Sequence, residues 1–329
     1  MNRRLLLGAA ALGLAASWGL TPQPVAAADD YPSRPIRLMV PYAAGGGTDA
    51  LARVIAQAVS EKLGQQVVVE NNGAAGGNVA TQAAAGAAPD GYTVLMANQG
   101  PMVVNPHLFK NLKVDPLAVF EPITLIAGAP LVVVVPPDSP FKSLTELVDA
   151  AKKEPGKLTY GSAGNGSASH LATLLLAQTA GGLEMVHAPY KGAGPALNDV
   201  MGGQTDFMIT TVPSVVGLVD GKKVLPLAVT TAARTKRFPE VPTIAEVGFP
   251  GYDTSAWYGF VVPKGTPEPI KAKLREATVQ ATQDATVRDR LDNEGAEPVG
   301  NTPEEFAAFM QAESKRWAEL VRTAGLSLD

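Results

Sequence analysis

The sequence predicts an α/β protein with two lobes, and three observations lead to this fold class. Short apolar runs of strand length alternate with segments whose apolar residues recur at helical spacing. The chain has 329 residues, which is long for one domain and natural for two. No linker or low-complexity stretch separates two sequential domains. We therefore expect a chain that crosses from one lobe to the other, returns, and finishes on the first.

The first part of the chain has the pattern of a βαβαβ unit. A strand at 36–41 ends in a glycine-rich turn, and a helix follows because Leu51, Ile55 and Val59 share one face. The next elements, in order, are a strand at 67–70, a helix near 77–87 and a strand at 92–97. Strands that alternate with helices in this way imply a parallel sheet.

The same alternation recurs farther along the chain. We expect strands at 131–135, 158–161, 185–188, 206–210, 224–230 and 257–262. Helices are expected at 143–153, at 166–180 and, in a short form, after Gly194. Ser143 and Glu146 have the spacing of a capping box. Two capped helices close the chain, one opened by Thr266 and Pro267 and one by Thr302 and Pro303.

Residues 1–28 are predicted to be a signal peptide. Arg3 and Arg4 precede an uncharged apolar stretch at 5–20, and three alanines at 26–28 offer a cleavage site. The arginine pair partly resembles a twin-arginine signal, so the Sec and Tat export routes both stay open. A signal anchor is the alternative, although the stretch is short of the roughly 20 residues that span a bilayer. We expect residues 29–329 to form an exported, soluble protein.

Composition excludes several classes of function. The leader holds two of the 27 basic residues and no acidic one, so the mature chain has a net charge of −6. An acidic chain without a basic patch is not expected to bind nucleic acid or a membrane surface. The absence of cysteine excludes disulfides, thiolate metal sites and a cysteine nucleophile.

Enzymatic signatures do not appear in the sequence. The three histidines, His107, His170 and His187, form no HExxH motif, so no metal site is expected. The glycine-rich stretch at 161–166 has the order GxxGxG instead of GxGxxG, and Tyr160 stands where a nucleophile elbow needs glycine. We expect neither a cofactor nor catalysis. The alternative is a periplasmic α/β hydrolase or transferase with an unrecognised acid/base pair.

Three turns of small polar residues each follow a strand and open a helix. They are PYAAGGGTD at 41–49, GSAGNGSASH at 161–170 and PYKGAGPA at 189–196. A helix N-terminus presents unpaired N–H groups and about half a positive charge, so it favours an anion. Two such turns that face each other would hold both ends of a dicarboxylate. The alternative is that they are ordinary βα turns.

Individual residues in these turns have two interpretations each. Asp49 precedes Arg53 by four residues, which favours a local ion pair. His170 could orient the glycine-rich loop or face a ligand, and Lys191, the only cation in the turns, could reach the cleft or lie on the surface. Trp257 and Tyr258 are predicted to be packing residues.

Six segments, in order along 31–329, resemble the substrate-binding proteins of tripartite tricarboxylate transporters, the TctC/Bug family. They are YPSRPIRLMVPYAAGGGTDALAR, VVVENNGAAGGNVA, PDGYTVL, YGSAGNGSASHL, PYKGAGPALNDVMGGQTD and WYGFVVPKGTP. The resemblance implies a periplasmic, two-lobed binding protein of type II topology, a Venus flytrap with crossover strands. We expect one lobe from 29–127 plus 254–329 and the other from 128–253.

The resemblance also implies a function. A member of this family binds a small carboxylate, such as a di- or tricarboxylate or an aromatic acid, between its lobes. Closure then presents it to membrane permease subunits or to a sensor protein, and we expect a monomer. The ligand-binding residues implied by the matching motifs are Tyr42, Ala43, Gly46, Gly47, Thr48, Asp49, Gln99, Gly100, Ser162, Gly164, Asn165, Gly166, Ser167, His170, Tyr190, Lys191 and Asp206.

Overall fold

The computed structural model describes residues 30–328, and the predicted signal peptide lies outside them. The strands are β1 Ile36–Val40, β2 Val67–Asn71, β3 Thr93–Asn98, β4 Phe120–Val135, β5 Thr159–Ser162, β6 Val186–Pro189, β7 Phe207–Thr211, β8 Leu225–Val229, β9 Ser255–Pro263 and β10 Glu297–Pro298. The helices are α1 Gly47–Leu63, α2 Asn78–Ala85, α3 Asn105–Leu108, α4 Pro116–Val119, α5 Leu144–Lys153, α6 Ala168–Thr179, α7 Ala193–Met201, α8 Val212–Asp220, α9 Glu268–Gln283, α10 Ala285–Asn293 and α11 Pro303–Thr323. Within this part of the chain, no helix is both long and apolar enough to cross a membrane.

The strands form one mixed sheet with two halves. In the first half β1 pairs in parallel with β2 and β3, as the βαβαβ pattern predicts. In the second half β5 pairs in parallel with β6 and β7. The carboxyl ends of these strands therefore lie at one edge of each half, and the turns that follow them share that edge.

Strand β4 joins the two halves, because it runs through both. Phe120 to Pro130 pair antiparallel with β9, and Leu131 to Val135 pair with β7 and β8. The sequence predicted only the second portion as a strand. Pro122, Gly128 and Pro130 interrupt the apolar pattern of the first portion, and the pairing register shifts just after Pro122. The lobe limits at 127/128 and 253/254 stay a prediction.

Most predicted helices are confirmed, with three differences. Ser143 caps α5, but the Glu146 carboxylate accepts the Lys142 N–H, so the capping box is only half formed. Three helices close the chain instead of two, because Asp284 caps a separate α10. Thr266 does not cap α9: its hydroxyl donates to the Pro263 carbonyl and Pro267 is the N-cap residue.

The first half has an aromatic core against which α11 packs. Trp257 on β9 contacts Phe306 and Phe309 edge-to-face, at centroid distances of 5.7 and 5.5 Å. The carboxylate of Glu313 is buried there and accepts hydrogen bonds from the indole N–H groups of Trp257 at 3.3 Å and Trp317 at 2.8 Å. One oxygen of the Glu313 carboxylate thus links α11 to β9.

Replacing Glu313 tests this connection. Glu313→Leu leaves two buried indole N–H groups without an acceptor, which we expect to lower the free energy of unfolding by about 2–4 kcal/mol. Glu313→Gln keeps an acceptor oxygen and gives up the long ion pair, 3.6 Å, with the exposed side chain of Arg316, so its loss of stability should be much smaller. Urea unfolding of both variants measures the difference, and equal losses would contradict the shared acceptor.

Candidate functional site

A cavity lies where the carboxyl-terminal edges of the two halves face each other. Its volume is about 30 Å³, which is room for very few water molecules. Its walls are formed by Tyr42, Gly46, Gly47, Thr48, Asn98, Ala163, Ser167, Ala168, Ser169, Ala193, Thr210, Thr211, Ser214, Ala256 and Tyr258. Among residues 30–328, the side chains in these walls include many hydroxyl groups and no Lys, Arg, Asp or Glu.

Four helices begin at this cavity. They are α1, α6, α7 and α8, whose first turns supply Thr48, Ser169, Ala193 and Ser214 to the walls. Of the four, only α6 is capped by the side chain of its own N-cap residue, Ser167, and in α1 the Gly47 N–H donates to the Ser214 hydroxyl of α8. The first N–H groups of a helix have no partner within the helix, and its N-terminus carries about half a positive charge. Four of them around one space favour an anion although no side chain there is cationic.

Two tyrosines complete the walls as neutral hydrogen-bond donors. The Tyr42 hydroxyl donates to the Asn98 side-chain oxygen at 3.0 Å, and burial raises the pKa of Tyr42. Tyr258 is 1% exposed, and its hydroxyl makes no hydrogen bond within residues 30–328. Burial raises the pKa of Tyr258 to about 12, despite the neighbouring hydroxyls of Thr211 and Thr48. The Tyr258 hydroxyl is therefore a buried group that lacks a partner at the cavity.

Behind the second glycine-rich turn, three rings are stacked. His170 lies on His187 at 4.2 Å between centroids, and His187 lies on Tyr160 at 4.7 Å. The Nδ1 atom of His170 accepts the Gly166 N–H at 3.2 Å. Burial lowers the pKa of His170 to about 3 and that of His187 to about 4, so both imidazoles are neutral. Of the two interpretations of His170, the geometry supports orientation of the loop.

Comparison with known proteins identifies the family. Residues 51–326 match the family model described as the tripartite tricarboxylate transporter family receptor, TctC. The chain belongs to this family. The BugT protein of Bordetella pertussis is 37% identical to it, and the alignment covers 92% of each chain.

Two solved structures of similar proteins contain a carboxylate. Rpa4515 of R. palustris, solved with adipate, is 35% identical, with a TM-score of 0.88 over 91% of this chain and 100% of that one. MatC from Rhodopseudomonas palustris, solved with bound malate, is 34% identical, with a TM-score of 0.84 over 88% of this chain and 100% of that one. These similarities support the predicted fold of a two-lobed periplasmic binding protein.

In this TctC family member, five predicted site residues lie in the cavity walls: Tyr42, Gly46, Gly47, Thr48 and Ser167. Seven others do not line the cavity: Ala43, Asp49, Ser162, Gly166 and His170 lie in the same turns, and Gln99 and Gly100 come directly after β3. The Asp49 carboxylate has two partners within its own turn and helix: it accepts the Gly45 N–H at 3.0 Å and forms an ion pair with Arg53 at 3.0 Å. The ion pair predicted for Asp49 is present.

The remaining five predicted residues lie farther out. Gly164, Asn165, Tyr190 and Lys191 line a separate outer crevice, in which the Lys191 side chain is exposed. The Tyr190 hydroxyl donates to Asp199 at 2.5 Å.

Asp206 precedes the first residue of β7, at the end of that strand opposite to the cavity, and accepts the Thr159 N–H at 2.7 Å. Its placement in the site needs correction, since Thr210 and Thr211 at the other end of β7 are the residues that reach the cavity.

Sequence reasoning missed a fourth turn that belongs to the site. Thr210 and Thr211 end β7, Ser214 lies in the first turn of α8, and Pro213 is the second residue of that helix. Proline in a first helical turn after a strand is a helix-start signal, so TTVPS could have been found. Tyr258 was assigned to packing, which describes Trp257 but not the cavity-lining Tyr258.

The two buried imidazoles make stability depend on pH. Their pKa values in the folded chain lie below the ordinary 6.5, so the unfolded chain takes up protons first as the pH falls. Their contribution to the free energy of unfolding is complete above pH 6.5. Below that pH it falls by at most about 1.4 kcal/mol for each histidine over each pH unit. His170→Asn keeps an acceptor for the Gly166 N–H and removes one titrating group.

We therefore expect His170→Asn to reduce the slope of stability against pH between pH 6.5 and 5, whatever its effect at pH 7.5. Urea unfolding at several pH values measures that slope. The matched control is His107→Asn, which replaces an exposed imidazole. An unchanged slope in His170→Asn would contradict the neutral, buried imidazole.

Proposed function

We propose that this protein is an exported receptor that binds a small carboxylate between its lobes and delivers it to the membrane subunits of a tripartite tricarboxylate-type transporter. The ligand class is a di- or tricarboxylate or an aromatic acid. We further propose that the protein acts in the periplasm, as the leader at 1–28 predicts, and that it catalyses no reaction. The alternative is a hydrolase or transferase with an unrecognised acid/base pair.

The observation that carries the proposal is the convergence of four helix N-termini on a cavity without a charged wall residue. Backbone N–H groups and hydroxyls bind a carboxylate without the desolvation of a buried cation. The unpartnered Tyr258 hydroxyl adds a donor that a ligand oxygen would satisfy. Adipate and malate in two similar structures support the same ligand chemistry.

Binding in this site requires that the two halves separate. The halves are in contact across the cleft: the Ala43 N–H donates to the Lys191 carbonyl at 2.9 Å, and the Gly47 N–H to the Ser214 hydroxyl at 2.7 Å. The space left between them is too small for a dicarboxylate to enter. The ligand enters an open form and then stabilises a closed form in proportion to its extra contacts there. The closed form is the signal that a membrane partner recognises.

A binding screen tests this function. Thermal unfolding of the purified protein is followed with mono-, di- and tricarboxylates, aromatic acids and amino acids, after refolding to remove carried-over ligand. A ligand at about 100 times its Kd should add roughly 2.7 kcal/mol of stability and raise Tm by several degrees. Mass spectrometry of the released ligand should find one equivalent, chemically unchanged. Turnover of the ligand would favour the enzyme, and the absence of any shift would contradict the receptor.

The charge at the N-terminus of α6 provides a sharper test. Ser167 caps this helix, and Asp and Asn are similarly good caps, so Ser167→Asp and Ser167→Asn differ mainly in charge. A fixed anion beside the carboxylate should weaken binding at least about tenfold in Ser167→Asp relative to Ser167→Asn. Calorimetric titration with the best acid of the screen measures both. Equal affinities would remove this turn from the site.

A further inference from the structure

Two Asn–Gly pairs occur in the sequence, Asn72–Gly73 and Asn165–Gly166. In such a pair the glycine nitrogen can attack the side-chain amide carbon of the asparagine, because glycine has no side chain to shield the nitrogen and lets the backbone bend. The attack closes an imide ring and releases ammonia. In a folded protein its rate depends on the exposure of the pair and on the hydrogen bonds of the reacting groups.

The first pair is open to this reaction. Asn72 is exposed in the turn that follows β2, and Gly73 is partly exposed. Among residues 30–328 the Gly73 N–H has no hydrogen-bond partner, so no such bond must break before its nitrogen moves toward the amide carbon. The Oδ1 atom of Asn72 accepts the Ala74 N–H at 3.1 Å. A donor at this oxygen stabilises the negative charge that develops there during the attack.

The second pair lies in an environment that opposes the reaction. Gly166 is buried, and its N–H donates to Nδ1 of His170 at 3.2 Å. The Gly166 nitrogen is available to Asn165 only after the loop opens and this hydrogen bond breaks, which costs free energy. The fold thus separates two identical dipeptides into one that is free to close the ring and one that is held.

We propose that Asn72 is a site of spontaneous covalent modification in the folded protein. A bond forms between the Gly73 nitrogen and Cγ of Asn72, and the bond between Cγ and Nδ2 breaks. The Gly73 proton passes to solvent, and Nδ2 leaves as ammonia. Water then opens the imide at either carbonyl. The products are aspartate and isoaspartate, in which the main chain runs through Cβ and Cγ, and nothing is oxidised or reduced.

The modification changes the surface beside the cleft. Gly73 lines the outer crevice that also contains Lys191, and either product adds a carboxylate at the residue before it. Isoaspartate also lengthens the main chain by one carbon in the turn between β2 and α2. The protein therefore acquires negative charge and a second backbone form at this turn as it ages. This holds whether or not a carboxylate ligand binds, so the receptor function is tested separately.

Peptide mapping by mass spectrometry tests the proposal. The purified protein is kept warm at pH 8, and the change from amide to carboxylate is followed over time at both asparagines. We expect Asn72 to convert at least about tenfold faster than Asn165, because the second loop must first open. Chromatography should resolve aspartate and isoaspartate at residue 72. Conversion should be slower at pH 6, since the attacking nitrogen must lose its proton.

Unfolding and two substitutions serve as controls. In urea both pairs are exposed, so Asn72 and Asn165 should convert at similar rates. Asn72→Gln keeps an exposed amide but needs a larger ring, so it should abolish the change at residue 72. Asn165→Gln is the matched variant in the second pair and should leave the conversion of Asn72 as it was.

Four outcomes would overturn the proposal. Equal conversion of the two asparagines in the folded protein would mean that the fold does not select between them. An Asn72 that stays intact in the folded protein and converts in urea would mean that the turn prevents the attack. A difference that persists in urea would belong to the neighbouring residues and not to the fold. Aspartate without isoaspartate would exclude the imide.

Discussion

Parallel pairing of β1 with β2 and β3, and of β5 with β6 and β7, is the constraint on which the binding site depends. Parallel strands end at a common edge, and in this protein a helix begins soon after most of those ends. Strand β4 runs through both halves of the sheet and so connects them. The helix N-termini meet at one cavity because of this arrangement.

The cavity replaces formal charge with oriented peptide groups. A buried lysine or arginine would lose its hydration whether or not a ligand is bound, and the cost would be highest in the empty closed form. Peptide N–H groups at a helix start carry only partial charge and are held in place by the helix. The imidazoles of His170 and His187 are also neutral, so they position the Gly166 loop without adding a charge near the cavity.

The elements with clear periodicity could be predicted from the sequence, and so could three of the four turns at the cavity. In α1 the buried residues Leu51, Ile55 and Val59 lie where helical spacing places them. The first portion of β4 could not be predicted, because its prolines and glycine are turn signals that only pairing with β9 overrides. Asp206 was misplaced because the wrong end of a short strand was chosen. The partner of Tyr190 is Asp199 on α7, and the spacing of residues in the sequence gives no sign of this hydrogen bond.

The hydrogen bond from the Ala43 N–H to the Lys191 carbonyl across the cleft separates two properties, closure and the choice of ligand, that a receptor must otherwise adjust together. Both of its groups belong to the main chain, so a substitution at Thr48 or Thr210 alters the surface offered to a ligand while this contact between the halves stays the same. Mutations that change which acid is bound can therefore accumulate one at a time without loss of closure. Such an arrangement makes new specificities accessible by single steps, each of which leaves a working receptor.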